Sequence, residues 1–75
     1  MFNVKAVTDL RVGDIVLGVT SGKSCYWEVL AIDEDYGGRP FVKMWALRCD
    51  HNPDLVGSTH LFYSFGFSIT TVLNR

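Results

Sequence analysis

The run Asp9-Leu10-Arg11-Val12-Gly13-Asp14, followed by Ile15-Val16-Leu17-Gly18-Val19, leaves the backbone few local choices. Gly13 suits a turn position that demands a positive φ, which residues carrying a Cβ avoid. The β-branched, apolar stretch Ile15 to Val19 then predicts a buried strand, because branched side chains lose rotamer freedom in a helix and fit a pleated surface. A turn feeding a strand sets an all-β expectation that the other segments can be checked against.

They agree with it. Phe2, Val4 and Ala6 alternate with Asn3 and Lys5, predicting a first strand over Phe2 to Val7 that Thr8-Asp9 interrupts. Thr20-Ser21-Gly22-Lys23-Ser24 is a small polar loop. Cys25 to Asp33 predicts the next strand, with Trp27, Val29 and Ala31 on one face and Tyr26, Glu28, Leu30 and Ile32 on the other. Apolar residues on both faces after Glu28 predict a bulge or bend near Leu30, the device by which small sheets curl. Asp33 to Pro40 is hairpin-like and contains Gly37-Gly38. Phe41 to Arg48 predicts a strand whose face Phe41, Trp45 and Leu47 is interrupted by Lys43. Residues 41–49 also suit a short helix opened by Pro40.

Cys49 to Ser58 is irregular, broken by Asn52-Pro53-Asp54 and Gly57. Thr59 to Phe67 then alternates, with Leu61, Tyr63, Phe65 and Phe67 facing one way and His60, Phe62, Ser64 and Gly66 the other. Ile69 to Leu73 predicts a closing strand. Residues 1–75 therefore form one domain, a small five- to six-stranded β-barrel or rolled antiparallel sheet.

Leu10-Arg11-Val12-Gly13-Asp14-Ile15-Val16, with Trp27-Glu28-Val29-Leu30-Ala31-Ile32-Asp33 behind it, resembles the opening of Src-homology-3-like small β-barrels. The match covers the first half of the chain. It implies a five- to six-stranded barrel of a kind that serves as nucleic-acid binder, peptide binder, assembly module or phage component. The aromatic Ala-Leu-Tyr-Asp-Tyr motif of proline-peptide binders is absent, so the resemblance transfers no functional residue.

Composition narrows the function. A chain of 75 residues that is 48% hydrophobic and 13% aromatic holds more apolar surface than so small a core hides, which points to an apolar contact surface. A net charge of −1, with Lys5, Arg11, Lys23, Arg39, Lys43, Arg48 and Arg75 scattered, lowers a nucleic-acid role. No run approaches a membrane span or a signal-peptide core, so the expectation is a cytoplasmic protein with reduced thiols and no membrane partner. Cys25 and Cys49 make no disulfide framework, although a single bridge between them stays open.

Catalytic motifs are thin. Gly18-Val19-Thr20-Ser21-Gly22-Lys23-Ser24 ends like a phosphate loop, but three residues separate its glycines where four are needed, and a strand follows where a helix should. Cys49-Asp50-His51, with Cys25 and His60 elsewhere, holds zinc-ligand types without the close Cys-x-x-Cys pairs of structural sites, so no metal or cofactor is expected. A Cys-His nucleophile pair lacks an orienting acid and an oxyanion hole, which argues against an enzyme. Asp33-Glu34-Asp35 reads as a solvated turn without calcium-loop spacing.

The expected function is a non-catalytic protein-interaction or assembly module, acting on a protein partner or as a homo-oligomer, of the kind found among small phage or mobile-element accessory proteins. The alternative is a nucleic-acid-binding small β-barrel. Tyr36 and Arg39 are binding candidates as loop-tip anchors. Trp45 and Phe62 are candidates because a barrel wall has one inner face, so some of Phe62, Trp45, Met44 and Val42 must lie outside.

Overall fold

A computed structural model describes residues 2–20, 23–64 and 69–75. Six strands, β1 (Phe2–Asn3), β2 (Ile15–Thr20), β3 (Lys23–Glu34), β4 (Pro40–Cys49), β5 (Thr59–Phe62) and β6 (Ile69–Val72), form one antiparallel sheet in the order β1-β6-β2-β3-β4-β5. The all-β expectation holds. Short 3₁₀ turns at Val7–Asp9 and Pro53–Leu55 complete the elements. The turn Val7–Asp9 leaves β1 at one end of the strand order yet packs against β4. That contact requires the sheet to roll up. Among the described residues β1 and β5 do not pair, so what is seen is a rolled sheet.

The turn before β2 forms as its residues dictate. Asp14 N–H donates to the Arg11 carbonyl at 3.0 Å, and Gly13 has φ +93°, the positive value that a glycine takes without strain. The turn is then fastened to β3: Gly13 N–H donates to the Val29 carbonyl and Val29 N–H to the Asp14 carbonyl, both at 2.9 Å. Buried Asp14 accepts Arg11 N–H at 2.7 Å and pairs with Arg75 Nη2 at 3.0 Å. Asn74 adds a second clamp, accepting Ile15 N–H at 2.9 Å and donating to the Gly13 carbonyl at 3.1 Å. The residues after β6 thus lock the entrance of β2.

The bulge expected near Leu30 is present. The β3–β4 register shifts between Val29, opposite Met44, and Ala31, opposite Lys43, leaving Leu30 as the extra residue. Side-chain parity inverts there. Ala31 therefore does not share the inner face with Trp27 and Val29; it stands opposite Lys43 on the outside, and Ile32 turns to the side of Val42. A second shift, between Tyr26 and Trp27 of β3, makes Leu47 the extra residue of β4.

Residues 41–49 are strand throughout, and the helical alternative is overturned. The helix-forming character of Met44 to Arg48 gives way because β4 is paired on both sides, with β3 and with β5. Its alternation also resolves which residues are inside. Val42, Met44 and Ala46 are fully buried, while Lys43, Trp45 and Leu47 are exposed. Val42 and Met44 were candidates for the outer surface and instead form the centre of the core, beside Val16, Trp27, Val29 and Val72.

Two strands are shorter than the sequence predicts. β1 ends at Asn3, and Val7, whose burial a longer strand would have served, is buried by the 3₁₀ turn instead. β5 ends at Phe62, with Tyr63 and Ser64 in a bend; Phe65 and Phe67 lie outside the described residues. The motif from Gly18 to Ser24 has β2 on one side and β3 on the other, with Ser21 and Gly22 outside the described residues. No helix among the described residues is long and apolar enough to cross a membrane.

Candidate functional site

Directly opposed residues of an antiparallel pair project to the same side, so the registers define the outer face row by row. One row runs Ile15, Glu28, Trp45, Thr59; the next runs Ala31, Lys43, Leu61. Trp45 is 39% exposed and Leu61 53%, and Leu47 stands exposed further along β4. Below this patch, beyond Lys43, the ring of Tyr63 lies 5.6 Å from that of Phe41, and the Arg39 guanidinium sits 4.4 Å over Tyr63. The result is an apolar and aromatic surface on β4 and β5, with Lys43 within it and Glu28 opposite Trp45.

Of the four predicted binding residues, the structure brings two to this surface. Trp45 lies at its centre. Arg39 borders it, placed over Tyr63 in a cation–π contact. Tyr36 is fully exposed at the tip of the β3–β4 hairpin, away from the sheet face. That tip is built by Asp35, whose Oδ1 accepts the N–H groups of Gly37 and Arg39, both at 2.9 Å, with Gly38 at φ +77°. The acidic run is accordingly turn chemistry.

Phe62 is a correction. Its pairing with Val42 turns it inward, where it packs on the core and meets Trp27 edge-on at 5.1 Å. His60, opposite Met44, is also on the inner side, 5.6 Å from Trp27 and with Nε2 2.9 Å from Ser58 Oγ.

Leu61, Tyr63 and Phe41 belong to the outer face and were not among the predicted binding residues. A signal was available. Lys43 lies on the same β4 face as Phe41 and Trp45, whereas Val42, Met44 and Ala46 include no polar residue. The charge marks the outside.

A second cluster lies at the end of the hairpin remote from Tyr36. Cys25 and Cys49 are directly opposed on β3 and β4, with Cα atoms 4.2 Å apart, and are joined by a disulfide. The expectation of reduced thiols yields to this register, which leaves the two side chains facing one another. Asn52 N–H donates to the Cys49 carbonyl at 3.2 Å, closing a turn that folds His51 back over the bridge. His51 Nδ1 lies 3.6 Å from Cys49 Sγ and 3.8 Å from Cys25 Sγ. Asp50, between them in sequence, is turned away to Arg48 at 2.9 Å, which holds the Arg48 guanidinium charged beyond its ordinary range. His60 takes no part. Cys25, Cys49 and His51 are the only His/Cys/Asp/Glu group among the described residues with ligand atoms close enough to share a metal ion.

Comparison with known protein families, with curated proteins and with solved structures finds no match for this chain.

Proposed function

We propose that this chain is a non-catalytic assembly module that works through the outer face of β4 and β5, with a second copy of itself as the first partner. The observation that carries the reading is the exposure of Trp45 and Leu61 in neighbouring rows, continued by Leu47, on the outer side of the sheet. Exposed aromatic residues of this size are what interface centres are built from.

Two further features favour a second copy. Among the described residues β5 is the last strand in the sheet order and lies beside the apolar patch, and an edge strand is where a second chain can pair. Glu28 and Lys43 flank Trp45, so two such faces related by a two-fold axis can oppose unlike charges across the apolar centre. Any other protein partner would use the same face. As a Src-homology-3-like module in the cytoplasm, the chain would fit the pattern of phage or mobile-element accessory proteins that act on other proteins.

The stacked Arg39 and Tyr63, with Phe41 and Lys43 nearby, favour one alternative, binding of single-stranded nucleic acid by base stacking. Native mass spectrometry at rising ionic strength separates the two. Self-assembly through apolar contacts resists salt and is lost in Trp45→Lys. Nucleic-acid binding falls steeply with salt and with charge reversal at Lys43 and Arg48.

A further inference from the structure

We propose that, when the Cys25–Cys49 bridge is reduced, the two thiolates and the His51 imidazole form a binding site for a zinc-class metal ion. This does not depend on the assembly function.

The histidine is already at the distance from both sulfurs that a metal centre needs. A tetrahedral zinc with Zn–S of about 2.3 Å and Zn–N of about 2.0–2.1 Å separates sulfur from nitrogen by about 3.6 Å. His51 Nδ1 stands 3.6 Å and 3.8 Å from the two sulfurs, so the imidazole is in place. The sulfurs themselves must move to about 3.8 Å apart in such a centre. Rotation of two cysteine side chains on fixed strands supplies that movement.

Three elements hold the ligands without help from the metal. Cys25 is carried by β3 and Cys49 by β4, opposite one another in the ladder. His51 is fixed by the turn closed between Cys49 and Asn52.

The chemistry of the donors selects the ion. Thiolate and imidazole suit zinc and similar soft or borderline metals, and give magnesium or calcium nothing to prefer. Both cysteines are buried, at 6% and 2% exposure, and two unpaired thiolates there would be costly. A divalent ion neutralises them. Asp50 is engaged by Arg48 and does not compete, so three protein ligands leave one coordination position for water.

Bridge and metal exclude each other, which makes the site redox-gated. Two equivalents of a thiol reductant supply two electrons and two protons. The S–S bond breaks, Cys25 and Cys49 become thiols, and the reductant leaves as its own disulfide. Zinc then displaces both thiol protons as the two Zn–S bonds form.

The test uses the full chain, reduced with a phosphine that is then removed, and titrated with zinc against a chromophoric chelator. Cobalt(II) serves as the spectroscopic probe. The expected result is one zinc per reduced chain, none in the oxidised chain, and thiolate-to-cobalt charge-transfer absorption in the reduced chain. Because Cys49→Ser can disturb the core, the deciding variant is His51→Ala, whose ring is exposed and whose fold is checked by circular dichroism. Its zinc affinity should fall at least about 100-fold, since even outer-shell partners are worth 10–100-fold. A reduced wild-type chain that takes up no zinc, or a folded His51→Ala chain with unchanged affinity, overturns the proposal.

Discussion

Replacing Asp14 by alanine should be among the most damaging changes of a single polar residue in this chain, and the loss follows from the contacts of one carboxylate. Asp14 Oδ2 accepts Arg11 N–H at 2.7 Å and meets Arg75 Nη2 at 3.0 Å, with side-chain exposures of 5% and 19% for the ion pair. A hydrogen bond to a charged acceptor is worth about 1.5–3 kcal/mol. Breaking a fully buried ion pair costs about 3–5 kcal/mol, but Arg75 is partly solvated and keeps its 2.9 Å bond to the Asp9 carbonyl. We take about 1 kcal/mol for that part, the upper end for an exposed pair.

The expected loss is thus about 3 kcal/mol, against a total of about 4–11 kcal/mol for a domain of this length. With a urea slope of about 1 kcal/mol/M, the unfolding midpoint should fall by about 3 M, and Tm by roughly 12–24 °C. Arg75→Ala removes the ion pair together with the bond to the Asp9 carbonyl and should cost about 2 kcal/mol. The double-mutant cycle should return a coupling of about 1 kcal/mol. An Asp14→Ala loss below about 1 kcal/mol, or strictly additive single effects, refutes the idea that the residues after β6 lock the turn. Arg48→Ala is the control: its pair with Asp50 is exposed, and the urea midpoint should not move.

Other consequences can be measured alongside. Met44→Ala empties a fully buried position at the centre of β4 and should cost about 2–5 kcal/mol in a denaturant titration. Gly13→Ala meets no steric obstacle but must hold φ near +93°, so it should lose about 1–2 kcal/mol, with no change in the slope of the urea transition. Reducing the Cys25–Cys49 bridge, which spans a sequence separation of 24, should lower stability by about 3.5 kcal/mol on the chain-entropy account, read as a urea midpoint with and without phosphine.

The sequence made β2 and β3 readable because local chemistry and tertiary contacts agree there. Gly13 has one conformational use, Ile15 to Val19 has one comfortable partner surface, and the two-faced apolar pattern after Glu28 has a bulge as its simplest resolution. Legibility failed where pairing decides. Met44 to Arg48 suits a helix until strands on both sides claim its backbone, and Val42 and Met44 become inner residues only through the register with β3 and β5. Phe62 and Trp45 look equivalent as aromatic residues on strands with two apolar faces, yet Phe62 opposes Val42 while Trp45 opposes Glu28 and Thr59. The ligand types Cys25, Cys49 and His51 were visible in the sequence, but their meeting was not, for a related reason. Cys25 lies 24 residues before Cys49, and the two meet only because β3 and β4 align them.

Sedimentation equilibrium of wild-type protein and Trp45→Lys, across concentration and at low and high salt, tests the assembly account most directly. Trp45 is already partly solvated, so the lysine leaves the fold intact, as a matching circular dichroism spectrum would confirm. We expect a wild-type oligomer that persists in high salt and a monomeric Trp45→Lys chain. A wild-type chain that is monomeric at every concentration, or a folded Trp45→Lys chain that still assembles, would contradict it.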